Sequence, residues 1–274
     1  MNLEIADSRQ RILYDIGRAW CDRHYDDTTH LLGKEVRGAS AYAVFLCESG
    51  SSGDLHRAEG VLEAVVDQQE TNEDSPYYGW YKPFSDAEVS VDPNWSAFCG
   101  SFLMHSGIRF NDLLAEKVVA RVGESVGRAC EAILKRNVNP GYTNIAMLSA
   151  SVLTAGGRWI GSERFVEEGR RKMRELVENL NLTGAFQEYN SPTYYAVSFS
   201  AACWMSMFAK DEEITDLALR LESRLWHLIA AHYHPATCQL CGPHARAYGS
   251  LFQSYAAAVK YYLFRVLGDN FELG

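Results

Sequence analysis

The sequence predicts an all-α fold. Apolar residues recur at helical spacing along nearly the whole chain. Helices without charge alternate with charged amphipathic ones, and the alternation repeats every roughly 50 residues, as in stacked helical hairpins. Residues 8–24 open the pattern with Ile12, Leu13, Ile16 and Trp20. Residues 55–70 continue it with Leu55, Val61, Leu62, Val65 and Val66. A polar and aromatic connector, residues 70–94, carries Tyr77, Tyr78, Trp80, Tyr81 and Lys82. Connectors this long are usually functional or mobile. Further helices are expected over 95–106, 111–136, 143–156, 161–180, 193–209, 212–231 and 249–267.

The segments 143–156, 193–209 and 249–264 are rich in Ala, Ser and aromatics, so they read as inner helices buried all round. The segments 161–180 and 212–228 are charged on one face and read as outer helices. Gly156-Gly157 reads as a helix C-cap. An inner and an outer ring of hairpins make an incomplete (α/α) toroid, here expected as one domain over residues 1–274. An open solenoid is the alternative topology.

The formal net charge of -9 argues against a general nucleic-acid binder, which needs a basic face. No apolar run approaches the roughly 20 residues that span a bilayer, and no basic patch followed by an apolar run opens the chain. The seven cysteines are scattered and odd in number. Cys47, Cys99, Cys130 and Cys203 fall in apolar helical patterns, which fits a reduced, cytoplasmic setting. A Gly-rich phosphate loop is absent, so nucleotide use is not expected.

The loops that lead into the inner helices are the unusual ones. They are Asp92-Pro-Asn-Trp95, Pro140-Gly-Tyr-Thr-Asn144, Gln187-Glu-Tyr-Asn-Ser-Pro-Thr-Tyr-Tyr195 and Gly242-Pro-His-Ala-Arg-Ala-Tyr248. In a toroid such loops face one end of the central cavity. Ser191 and Pro192 suit a helix start, a cap followed by a first-turn proline. Polar groups this dense also suit a site, because buried phenols, amides and carboxylates need partners.

The candidate catalytic groups are Tyr194, Glu188, Tyr189 and His244. Asn144, Tyr142, Asn190, Arg246 and Tyr248 are expected to bind substrate, with Trp80 and Trp95 as an aromatic wall. Proton abstraction next to a carboxylate needs these residue types: cations and amides neutralise the acid group, and a Tyr or His moves the proton. A tyrosine base needs a neighbouring cation, because its ordinary pKa lies near 10. Packing and helix capping account for the same residues without chemistry. No cofactor is required. Cys238, Cys241 and His234 form a weak zinc candidate, since Cys-x-x-Cys suits zinc but no second pair follows.

The segment Gly184-Ala-Phe-Gln-Glu-Tyr-Asn-Ser-Pro-Thr-Tyr194 resembles the catalytic stretch of the toroidal polysaccharide lyases of the chondroitin AC and hyaluronate type. Tyr142-Thr-Asn144-Ile and Gly242-Pro-His-Ala-Arg246 resemble their asparagine and arginine motifs, in the same order over residues 140–250. The resemblance implies that Asn144 neutralises a uronate, Tyr194 shuttles the proton and Arg246 holds the substrate or tunes the tyrosine. Tyr189 stands at the family's histidine position, so a histidine partner is expected from His234 or His244. The expected activity is elimination from a uronic-acid-containing oligosaccharide by an intracellular enzyme. The alternatives are a cyclase, dehydratase or isomerase of an apolar small molecule, and a non-enzymatic helical-repeat binding module. Association of two copies to complete one cavity is compatible with each.

Overall fold

A computed structural model describes residues 7–88, 92–248 and 258–268. Among them the fold is all-α, with two short antiparallel strand pairs. No helix among the described residues is long and apolar enough to cross a membrane. The chain divides into two compact units, Met1–Asn137 with Ala155–Val166, and Val138–Thr154 with Glu167–Gly274.

The first unit holds α1 (Ser8–His24), α2 (Val36–Ser49), α3 (Ser52–Val66), α4 (Trp95–Arg109) and α5 (Glu116–Arg136). Asp7 caps α1, its carboxylate accepting the Gln10 N–H at 2.9 Å. Helix α2 contains the apolar helical pattern around Cys47, whose bounds the sequence does not set. Its run of Ala, Val, Leu, Cys and Tyr has little polar face, and Val36, Ala39, Tyr42, Ala43, Leu46 and Cys47 are all buried. It packs against both α3 and α4. Helix α5 starts at Glu116 rather than near residue 111, because the Phe110 carbonyl takes the Leu113 and Leu114 N–H groups in a turn.

The aromatic connector is less free than its composition predicts. Tyr81 is buried, and its hydroxyl meets Ser125 Oγ at 2.6 Å. Buried Gln69 donates to the Gly79 and Ser125 carbonyls at 3.1 and 3.0 Å and accepts from Ser125 Oγ and Arg128 Nε. One amide thus ties the connector to α5.

The second unit holds α6 (Thr143–Ser151), most of α8 (Glu163–Thr183), α9 (Tyr194–Phe208), α10 (Glu212–His232) and α11 (Val259–Leu267). All nine residues of α6 are buried. Helix α6 packs on α9, and α9 packs on α10 and α11. Between α6 and α8 the chain runs through a π turn, Val152–Gly156, and the short α7 (Gly157–Trp159). Gly156-Gly157 is therefore no C-cap. A Cβ on Gly156 would lie 2.9 Å from Val126 Cγ1, so the glycine serves close packing. The left-handed stop comes at Gly161, with φ 75°. The inner helix expected over 249–267 is described only as α11, and residues 249–257 lie outside the described residues.

Gly107 in α4 faces the Trp159 indole, and an added Cβ would sit 2.1 Å from Cη2. A rigid ring cannot yield cheaply, so Gly107→Ala should destabilise by about 1–3 kcal/mol. Gly53→Ala, which meets open space in α3, should be neutral or slightly stabilising. Urea unfolding of the two variants checks this; equal midpoints would contradict the packing argument.

Candidate active site

The second unit brings two loops together at a single residue. Asn190 adopts a left-handed φ of 49°. Its N–H donates to Tyr195 Oη at 2.7 Å, and its Nδ2 donates to the Cys241 and Pro243 carbonyls at 2.6 and 3.1 Å. Its carbonyl accepts His244 Nδ1 at 2.9 Å, and one residue earlier the Tyr189 carbonyl accepts the Ala245 N–H at 2.9 Å. The stretch 187–195 is thereby stitched to 241–246. Ser191 Oγ accepts the Tyr194 N–H at 3.1 Å, so the Ser-Pro-Thr turn delivers the start of α9.

This stitching sets Glu188 and Arg246 side by side, Oε1 to Nε 3.8 Å. Glu188 is 6% exposed. It accepts the Asn144 backbone N–H at 2.7 Å and both its oxygens face Asn144 Nδ2, at 2.7 and 2.8 Å. The carboxylate therefore closes the N-terminus of α6, where an orphan N–H and the helix dipole favour an anion. Burial still pushes the Glu188 carboxyl above its ordinary range; the Asn144 donors and Arg246 oppose that shift without cancelling it.

The Arg246 guanidinium stands 5.3 Å from the Tyr142 ring and 5.9 Å from the Tyr194 ring. It donates to Tyr248 Oη at 3.2 Å. The Tyr194 and Tyr248 hydroxyls meet at 2.9 Å with their rings edge to face. The two phenols are unequal. The hydrogen bond with Tyr194, followed by that from Arg246, holds Tyr248 below its ordinary value. Burial, with Tyr248 adding to it, pushes Tyr194 up. Tyr248 is thus the hydroxyl of the pair that ionises first. Arg246 and Tyr248 both have positive φ, 51° and 52°. Such strain in non-glycine residues concentrates at working sites.

Several expectations change on these distances. Asn144 commits its NH2 to Glu188, so it positions that carboxylate instead of offering a donor to a uronate. Tyr194 meets Tyr248 where the resemblance implies a histidine from His234 or His244, and Tyr189 itself pairs with His232. Tyr189 Oη meets His232 Nε2 at 2.6 Å, and His232 Nδ1 donates to the Leu228 carbonyl at 2.7 Å, which leaves Nε2 as the acceptor. A signal for it existed: a histidine in a helix's last turn commonly bonds a carbonyl there. His244 holds Asn190, and His234 bonds Thr237 Oγ1 at 3.0 Å. The zinc candidate of Cys238, Cys241 and His234 is not assembled; among the described residues no three His, Cys, Asp or Glu side chains gather to hold a metal. Cys241 contributes its carbonyl to Asn190. Trp80 and Trp95 belong to the first unit, where Trp80 packs edge-on against Tyr77 and Arg37 lies over Trp95.

Three buried polar atoms of this region have no partner among the described residues: Asn144 Oδ1, Asn190 Oδ1 and Thr143 Oγ1.

The raised Glu188 carboxyl has a stability consequence. Its contribution is fully present below the ordinary carboxyl value of 4.5 and is lost as pH rises through the raised folded-state value. The stability of the wild type minus that of Glu188→Gln should therefore be largest in acid and decline as pH rises. Denaturation of both proteins across the acid range measures it. A difference that grows with pH would show Arg246 and Asn144 outweighing burial.

No curated protein and no solved structure matches the chain. A family described as a domain of unknown function, DUF8769, matches residues 11–273, nearly all of the chain, and the chain belongs to that family.

Proposed function

We propose that the protein is an enzyme of general acid–base chemistry that eliminates across a uronic-acid-containing saccharide. One observation carries the reading: the Tyr194–Tyr248 hydroxyl pair at 2.9 Å with the Arg246 guanidinium 3.2 Å from Tyr248. Tyr248, as phenolate, takes the proton on the carbon next to the sugar carboxylate. The electron pair forms a carbon–carbon double bond, and the glycosidic oxygen leaves with the Tyr194 proton. Arg246 neutralises the carboxylate and stabilises the charge that builds beside it. A guanidinium among three tyrosines favours an anionic substrate over an apolar one.

The alternation of helices supports an incomplete (α/α) toroid as the scaffold. Helices α6 and α9 are buried nearly all round, while α5 and α10 bury one face. In the first unit α2 packs on α4 and α3 on α5; in the second α6 packs on α9. Those are the inner–inner and outer–outer neighbours of a ring of hairpins. A cytoplasmic oligosaccharide is the proposed substrate, in keeping with seven free thiols.

Incubation with a panel of uronate oligosaccharides, followed by the ultraviolet absorbance of the new unsaturated uronate, tests the reading. The wild type should produce the chromophore. Tyr248→Phe should lower the rate by about 10²–10⁴-fold, the usual worth of a positioned acid or base. A flat trace across the panel, or full activity in Tyr248→Phe, would overturn the assignment.

A further inference from the structure

The groove between α8 and α10 has a character opposite to that of the chain. It encloses about 600 Å³. Buried Val177 and Leu180 form its floor, half-exposed Leu219 gives it an apolar rim, and Arg220, Arg224 and His227 line it along α10. Its lining holds no carboxylate, although the chain has 35 Asp and Glu against 26 Lys and Arg. Leu219 is 51% exposed, a large apolar side chain left in water.

The arginines of the groove are also unlike their neighbours. Arg170, Arg171 and Arg174 on α8 each hold a carboxylate. Among the described residues Arg220 has no carboxylate partner, and Arg224 bonds only the Gly184 carbonyl oxygen. His227 donates Nδ1 to the Ser223 carbonyl, which leaves Nε2 as its remaining hydrogen-bonding atom. Two guanidiniums and an imidazole without anions thus lie within two helical turns, a span of about 10 Å at 1.5 Å per residue.

We propose that this groove docks an acidic amphipathic helix of a partner protein. The chemistry is that of helix-in-groove recognition. Leucine-type side chains at i, i+3 or i+4 and i+7 enter between α8 and α10. Glutamates flanking them meet Arg220, Arg224 and His227. Charge complementarity of this kind sets partner choice and on-rate. The inference stands apart from the acid–base reading, since it uses none of Glu188, Tyr194, Arg246 or Tyr248.

The test is fluorescence polarisation of a labelled helical peptide with Leu at those positions and Glu beside them. Two further peptides carry Lys for Glu, or Ser for Leu. The full chain should bind the Glu peptide, more weakly as salt rises, and should bind neither variant peptide. Arg220→Glu, an exposed substitution checked for native helicity by circular dichroism, should weaken the Glu peptide at least tenfold and gain affinity for the Lys peptide. Absence of binding, equal binding of the Glu and Lys peptides, or an Arg220→Glu protein that binds as before would overturn the proposal.

Discussion

The second unit depends on one buried contact, the Glu188 carboxylate on the N-terminus of α6. Helix α6 is buried along its whole length, so its first N–H groups have no water to turn to. Glu188 supplies the acceptor for the Asn144 backbone and side chain together. Removing it would strand two donors, at about 1–3 kcal/mol for each unsatisfied group. The same carboxylate lies beside Arg246, which adds to the Tyr194 hydrogen bond in holding Tyr248 below its ordinary value. Helix start, loop placement and phenol acidity are therefore one linked arrangement.

The linkage explains the division of labour among the polar residues. Asn190 and His244 hold together the loops that carry Glu188 and Arg246. Asn144 fixes Glu188. In the proposed reading Tyr142, Tyr194, Arg246 and Tyr248 are the groups that meet the ligand. Three of them are partly exposed phenols, which suit stacking on a sugar ring as well as proton transfer. Gln69 plays the comparable structural part in the first unit, where one buried amide holds the connector on α5.

Much of this was legible in the sequence, and for definite reasons. Helices α5, α8 and α10 carry charge on one face, so their period shows plainly. Helix α2 was legible only as the apolar pattern around Cys47: Val36, Ala39, Ala43, Leu46 and Cys47 keep helical spacing, but Gly38 near the start and the few polar residues hide its bounds. The glycine pair at 156–157 misled because a residue chosen for close packing reads the same as one chosen for a left-handed turn. Tyr142, Asn144, Glu188, Tyr194, Arg246 and Tyr248 stood out as polar groups before apolar helices, and the structure brings them together. Their roles did not stand out. Only distance shows that Asn144 serves Glu188, or that Tyr189 meets His232 across 43 positions.

The proposed proton transfer requires Tyr248 to be the acidic member of the phenol pair. An ultraviolet pH titration of tyrosine ionisation, wild type against Tyr248→Phe, measures that directly. The difference between the two should contain one phenol ionising below the ordinary value of 10, displaced upward when Arg246 is replaced by Gln. A difference showing a phenol that ionises at or above 10 would mean that neither Tyr194 nor Arg246 activates it, and the proton-transfer role would fall.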